Sequence, residues 1–279
     1  MKLQQAERKQ AKIKMGIQAP SGAGKTYSAL LLAYGLINDW SKIAVIDTEN
    51  HSADLYAHLG NYQVLALDQP FSPERYLEAI EICEKAGMAV IIIDSISHEW
   101  EGIGGILDIH GAMIGNSFTN WAKITPRHNA FVQKLLQSPC HIIATIRSKQ
   151  DYVLSEKKGK MVPEKIGMKG VTREGLDYEF TLVFELDLKH QATATKDRTQ
   201  LFMDKPSFVI SASTGLSILN WCQSGKTLAD VKVDITQVTT VDQLREILRN
   251  YPQYRAELEP LCITRKRQLE NPIAEVNHP

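Results

Sequence analysis

The chain has 279 residues, 43% of them apolar, enough to build a sizeable buried core and to exclude a fibrous or disordered polymer. Lysine plus arginine and aspartate plus glutamate each total 32, so overall charge points to no polyanion or anionic membrane, and any such signal must be local. Cys83, Cys140, Cys222 and Cys262 stand far apart without a CxxC pair, which argues against a disulfide framework and against a zinc site.

The opening MKLQQAERKQAKIKM is basic and polar without an apolar signal region, and no run of 18 apolar residues occurs anywhere. A soluble cytoplasmic protein that does not enter a membrane is expected. Short apolar runs at 13–17, 43–47, 62–67 and 88–94 then alternate with helical stretches at 27–37 and 73–86. That rhythm predicts βαβ units, hence an α/β core with a mostly parallel central sheet flanked by helices. A helix over 119–136 and a strand over 141–146 continue it.

Beyond Arg147 the period is lost. KQDYVLSEKKGKMVPEKIGMKG reads as a long loop, a feature that in a compact domain is usually functional or disordered. Residues 180–188 and 191–195 read as two strands about a tight Lys189-His190 turn, adding an antiparallel edge. The core is therefore assigned to 1–222, including the basic N-terminal segment, and the polar 223–238 reads as a linker. TTVDQLREILRN then opens with a capping box, Thr240 and Gln243, and a second helix over about 253–269 completes a helical hairpin within 239–279.

The chemistry begins at APSGAGKT, residues 19–26, which fits the Walker A pattern with alanine for the first glycine, between a strand and a helix former. Gly22 and Gly24 let the backbone approach phosphate, and the helix N-terminus offers free amides. Ser21, Gly22, Ala23, Gly24, Lys25, Thr26 and Tyr27 are the expected nucleotide contacts, with Lys25 reaching the β- and γ-phosphates and Thr26 holding Mg²⁺. A second SGKT at 224–227 lacks a small residue at Asn220 and reads as chance. MAVIIIDS ends a buried strand in Asp94, the pattern of a carboxylate that binds the same magnesium ion through water. Ser95, which follows it, cannot act as a base. Glu49, just past the second strand in IAVIDTEN, is the candidate to activate the attacking water.

These residues resemble the RecA/RadA family of P-loop ATPases, in which a glutamate after the second strand polarises water and the Walker B strand ends in DS. The resemblance spans about residues 12–219. It implies ATP as cofactor with Mg²⁺, and NHSADLYAHLG, similar to the family's segment after that glutamate, suggests that Tyr56 stacks on the adenine. IIATIRSK is similar to the strand leading into the family's second DNA-binding loop, with the γ-phosphate-sensing glutamine replaced by Thr145. ATATKDRT resembles the KxR element of hexameric RecA-like helicases and KaiC-like ATPases. Lys196 and Arg198 would thus act in a neighbouring copy's site, which implies a homo-oligomer. The opening and IIIDSISHEWEG look closest to phage-encoded AAA_24-type proteins, including Sak-type single-strand annealing ATPases, which implies a bacterial host cytoplasm and a single-strand-binding protein or other recombination partner.

The loop after Arg147 carries Arg147, Lys149, Lys157, Lys158, Lys160, Lys165, Lys169 and Arg173 against Asp151, Glu156 and Glu164. This local positive excess, with Tyr152 available to stack a base, makes single-stranded DNA the expected partner. Two other expectations stay open: a KaiC-like regulatory ATPase acting on a protein partner, and a small-molecule kinase on the same core.

Overall fold

A computed structural model describes residues 11–157, 160–223 and 228–270, with side chains throughout except at 150–167 and 253. Among these residues the strands are β1 (Lys14–Ala19), β2 (Ile43–Asp47), β3 (Gln63–Ala66), β4 (Val90–Asp94), β5 (His141–Lys157), β6 (Lys160–Gly170), β7 (Leu182–Leu186), β8 (Gln191–Asp197) and β9 (Phe208–Val209). The helices are α1 (Lys25–Ile37), α2 (Pro73–Lys85), α3 (Ser97–Glu101), α4 (Ile106–Ala112), α5 (Ser117–Gln137), α6 (Ala212–Gln223), α7 (Leu228–Gln237), α8 (Val241–Asn250) and α9 (Arg255–Glu270). No helix among the described residues is long and apolar enough to cross a membrane. The chain divides into two compact units, Lys12–Ile218 and a second whose described residues are 11, 219–223 and 228–270.

In the first unit the sheet order is β3-β2-β4-β5-β1-β7-β8-β9, parallel from β3 through β7 and antiparallel beyond. Every residue of β2 and β4 is buried, as expected of strands covered on both faces. Parallel neighbours cannot be joined by tight turns, so α1 and α2 carry the crossovers. The carboxyl ends of β1, β2, β4 and β5 consequently open on one edge of the sheet, the place where such folds bind ligands.

One face packs Ile46, Ile91, Ile93, Ile142 and Ala144 against Tyr76 and Ile80 of α2 and Phe131 and Leu135 of α5. The intervening positions Val45, Ile92 and Ile143 are equally buried, because alternate strand residues point to opposite faces and α1 lies against β1, β4 and β5. Backbone meets backbone where α1 crosses the start of α6. A methyl group added to Gly35 would lie 2.0 Å from the Ala212 carbonyl oxygen, and one added to Gly215 would lie 2.3 Å from that of Leu32.

Two expectations are corrected. The stretch after Arg147 is not an irregular loop: β5 continues to Lys157 and pairs antiparallel with β6 from Ser148↔Gly170 to Lys157↔Lys160, with a register shift at Asp151/Tyr152. A two-stranded ribbon is specified by its backbone hydrogen bonds and its turn, so the alternation that reveals half-buried strands need not be present. The presumed linker at 223–238 contains α7, whose Val231 and Ile235 sit one turn apart in a core with Leu244, Leu258 and Cys262. Lys232 and Asp234 between them hid that spacing. Among its described residues the second unit thus packs three helices, α7, α8 and α9, around one core rather than a hairpin. Its α8 begins with the expected capping box: Gln243 N donates to Thr240 Oγ1 at 3.3 Å and Thr240 N to Gln243 Oε1 at 3.2 Å. The basic residues 1–10 and the second SGKT lie outside the described residues.

Candidate nucleotide site

The turn between β1 and α1 holds Gly22 at φ 81° and Gly24 at φ 85°, conformations that a side chain disfavours. Gly24 is the residue preceding α1, and it has no side chain to cap the first turn, so the amides there remain available to an anion. Gly24 is constrained a second way. A Cβ there would lie 3.2 Å from His190 Nδ1, and that nitrogen lies 3.0 Å from the Ala23 carbonyl oxygen, a contact that needs Nδ1–H as donor. Lys25 Nζ donates to the carbonyl oxygens of Ala19 and Pro20 at 3.1 and 3.0 Å, and burial holds its pKa below the usual lysine range while Asp94 and Glu49 oppose the shift.

Strand register brings the acidic partner in. β4 lies between β2 and β5, pairing Asp47 with Asp94 and setting Asp94 beside Thr145. The Asp94 carboxylate is 1% exposed; Thr26 Oγ1 donates to Oδ2 at 2.5 Å and Thr145 Oγ1 donates to Oδ1. Burial raises its pKa, and the two hydroxyl donors only partly oppose that. A buried carboxylate favoured by a nearby cation, beside a threonine hydroxyl at the phosphate loop, is a donor set that fits a magnesium ion retaining water and phosphate ligands. Thr26 and Asp94 would hold it, and bound with a nucleotide it would neutralise phosphate charge.

Glu49 faces the same cavity. Its backbone is pinned by Asp47, whose two carboxylate oxygens accept the N–H groups of Glu49 at 2.6 Å and Ala53 at 2.8 Å. Ser95 Oγ donates to Glu49 Oε1 at 3.0 Å, Arg147 Nε donates to the same oxygen at 2.8 Å, and Arg147 Nη2 donates to Oε2. Burial pushes the Glu49 carboxyl upward, but the Arg147 guanidinium outweighs it and leaves the group below its ordinary range. Thr48 braces the floor: its hydroxyl accepts the Ser95 N–H at 2.8 Å and lies 2.8 Å from His98 Nδ1, whose ring stacks on Phe71.

The cavity has a volume of about 870 Å³. Ser21, Gly22, Gly24, Lys25, Thr26, Tyr27, Glu49, Tyr56 and Asp94 all line it, so most residues expected to contact nucleotide converge. Ala23 is fully buried behind the loop and contributes through its carbonyl to His190. Tyr27 and Tyr56 stand with ring centroids 5.7 Å apart at one wall. The same cavity takes in Arg147 and Lys149, two residues expected at a nucleic-acid surface.

Of the other expected nucleic-acid residues, the two whose side chains are described, Lys169 and Arg173, do not line it. Lys169 lies 3.9 Å from Glu174, and Arg173 acts on the buried Glu99, whose pKa burial raises while His128 and Arg173 oppose. The Lys157, Lys160 and Lys165 side chains and the whole of Lys158 fall outside the described residues. Lys196 and Arg198, on and just after β8, do not line the cavity of their own chain. Lys196 Nζ donates to the carbonyl oxygens of Asp177, at 3.2 Å, and Tyr178, and Arg198 Nη2 to that of Tyr178 at 3.3 Å.

Sequence reasoning missed the Arg147–Glu49 pair and His190. The first signal was available, since a strand ending in Arg147 beside β1 must deliver that residue to the phosphate edge, here in register with Ala19. His190, at φ 64° in the β7–β8 turn, carried no signal beyond the turn itself. Of the acidic and aromatic run after Ser97, Glu101 lines the cavity, whereas Glu99 is buried with His128 Nδ1 3.0 Å from its Oε1.

A model of the AAA_24 family, described as an AAA domain, matches residues 11–209. No curated protein matches the chain. Among solved structures, a KaiC-like protein from the hyperthermophilic archaeon Pyrococcus horikoshii OT3 is similar at 17% identity and a TM-score of 0.41, over 72% of this chain and 87% of that one.

Proposed function

Because the chain belongs to the AAA_24 family of AAA domains, we propose that it hydrolyses ATP with Mg²⁺ and uses the cycle to act on single-stranded DNA in recombination or annealing, as a ring or filament. The observation that carries hydrolysis is the placement of Glu49 in one cavity with Lys25, Thr26 and Asp94. In the reaction the water oxygen attacks the γ-phosphorus while the bond to the β–γ bridging oxygen breaks, its electron pair leaving with ADP. The water proton passes to Glu49 and from there to solvent. Lys25 and the amides at the start of α1 hold the phosphates in line for that attack.

Two features support the nucleic-acid reading. The β5–β6 ribbon extends from the strand that delivers Arg147 to the phosphate edge, so a polymer lying along it would communicate with the site through one continuous backbone. Its sequence carries a local excess of lysine and arginine in a chain with no net charge. Lys196 and Arg198, which do not line their own cavity, support a site completed by a neighbouring copy.

The test is ATP turnover of the wild type and Glu49→Gln, with and without single-stranded DNA, with oligomer mass recorded alongside. Glu49→Gln is expected to lower turnover about 100-fold or more. Single-stranded DNA is expected to raise wild-type turnover, and its binding to weaken steeply with salt. Undiminished turnover in the variant would remove Glu49 from the chemistry, and turnover indifferent to every nucleic acid would remove the DNA role.

A further inference from the structure

The guanidinium of Arg147 occupies both carboxylate oxygens of Glu49, the group assigned to orient the attacking water. Arg147 and Ser95 together fill about three of the four acceptor sites of this carboxylate, and the pairing also makes it a weaker base. Arg147 nevertheless lines the same cavity as Lys25 and Thr26, and its side chain is 41% exposed, so the charged head can leave Glu49 without entering the core. Its backbone cannot follow. Arg147 N donates to Ser97 Oγ at 2.9 Å, Val171 N donates to Arg147 O at 2.7 Å, and the strand register pairs Arg147 with Ala19, where the phosphate loop begins. A fixed Cα with a long, half-exposed side chain defines an arc that starts on Glu49 and sweeps the phosphate end of the cavity.

Charge makes the two positions compete. Arg147 and Glu49 neutralise each other, while Lys25 stands near Asp94 and Glu49. A nucleoside triphosphate adds a terminal phosphoryl group of higher charge than one carboxylate, with three oxygens matched to the planar fork of arginine. A diphosphate lacks that group.

We propose that Arg147 pairs either with Glu49 or with the γ-phosphoryl oxygens of a bound nucleoside triphosphate, and that the exchange releases Glu49 to orient water only when a γ-phosphate is present. Arg147 is thereby a positioning residue that makes the site discriminate triphosphate from diphosphate. The proposal rests on the reading of Glu49 as the water-orienting group, and it assigns to Arg147 a role other than contacting DNA.

The test is a binding cycle that does not depend on turnover. Affinities for ADP and for a non-hydrolysable ATP analogue, both with Mg²⁺, are measured in the full-length wild type, Glu49→Gln, Arg147→Ala and the double variant. Removing the Glu49 charge frees Arg147, so Glu49→Gln is expected to tighten the analogue about tenfold while ADP stays within about twofold. Arg147→Ala is expected to weaken the analogue by at least about tenfold with ADP again within about twofold, and in its background Glu49→Gln should have no further effect. Arg147→Lys, which keeps the charge but loses the fork, should recover only part of the analogue affinity, and it carries the comparison if the alanine variant fails to fold.

Three results would overturn the proposal: analogue affinity unchanged by Glu49→Gln, the same tightening with Arg147 absent, or equal loss of ADP and analogue in Arg147→Ala. Loss of single-stranded DNA binding in Arg147→Ala with unchanged nucleotide discrimination would also overturn it, returning the residue to the nucleic-acid surface. Normal hydrolysis by Glu49→Gln is a separate outcome, read by turnover alone, and would strike the underlying assignment instead.

Discussion

The Thr145 hydroxyl donates to one oxygen of the Asp94 carboxylate across neighbouring strands, while Thr26 donates to the other. A threonine so placed favours the ionised form of the buried carboxylate and fixes its orientation beside the phosphate loop. In Thr145→Val the shape stays and the donor goes, so Asp94, already raised by burial, should rise further. Affinity for ATP with Mg²⁺ is then expected to fall about tenfold, and by more at pH 6 than at pH 8, because a raised pKa lets protons compete better with the cation as pH falls. Calorimetric titration at the two pH values checks this, and an equal loss at both would mean that Thr145 acts through packing.

Lys196 and Arg198 sit outside their own cavity, so their effect should be transferable between copies. The double variant Lys196→Ala/Arg198→Ala is expected to keep nucleotide affinity within about twofold and lose turnover about 100-fold. Mixing it with Glu49→Gln, itself inactive, should restore measurable turnover, because some boundaries would then join an intact Glu49 to intact cations. Failure to restore activity at any mixing ratio would confine both residues to a local role.

His141 accepts the Ile13 N–H at Nδ1 at 3.2 Å, and burial, with Lys12 and Lys14 acting in the same direction, pushes its pKa down to about 3. Unfolding lets the ring regain an ordinary pKa near 6.5. The unfolded chain therefore binds the extra proton between these values, so the His141 contribution is fully present above about pH 6.5 and is lost as pH falls toward 3, by up to about 1.4 kcal/mol per pH unit. In His141→Gln the stability deficit relative to wild type should be constant above neutrality and shrink below pH 6. Urea unfolding across that range measures it, and a deficit independent of pH would show that folding leaves the pKa of the ring unchanged.

Gly35→Ala drives a methyl group against the Ala212 carbonyl, which belongs to the backbone and has no rotamer to change. A loss of about 3 kcal/mol is expected. Gly111 in α4 is the control: nothing lies within 4 Å of its added methyl group, so Gly111→Ala should be neutral or stabilising by about 0.5 kcal/mol. Denaturant midpoints of the two variants test the contrast, and similar losses at both sites would contradict the close crossing.

Much of the site could be read from residue types because strand ends and glycines carry the chemistry directly. Asp94 and Glu49 were legible as acids at the carboxyl ends of buried strands, and GAGKT as a loop requiring positive φ. What escaped depended on contacts between residues remote in the chain. Arg147 is 98 positions from Glu49, and its basic neighbours in sequence suggested a polyanion rather than a carboxylate. His190 reaches Ala23 across 167 positions from a turn with no motif. The ribbon of β5 and β6 and helix α7 were hidden for different reasons, one having no sustained period in its sequence and the other carrying a narrow apolar stripe among charges.

The contact of α1 with the start of α6 through Gly35 and Gly215 has a mechanical meaning for the phosphate loop. Side chains interleaved between helices can repack and let the helices slide, but carbonyl oxygens resting on glycine Cα atoms allow one spacing only. The helix that presents its first amides to the phosphates is thus a stiff mount clamped at its far end. Displacement within the cycle then falls to the arc of Arg147, while the mount stays still as the reference against which the length of the phosphate chain is gauged.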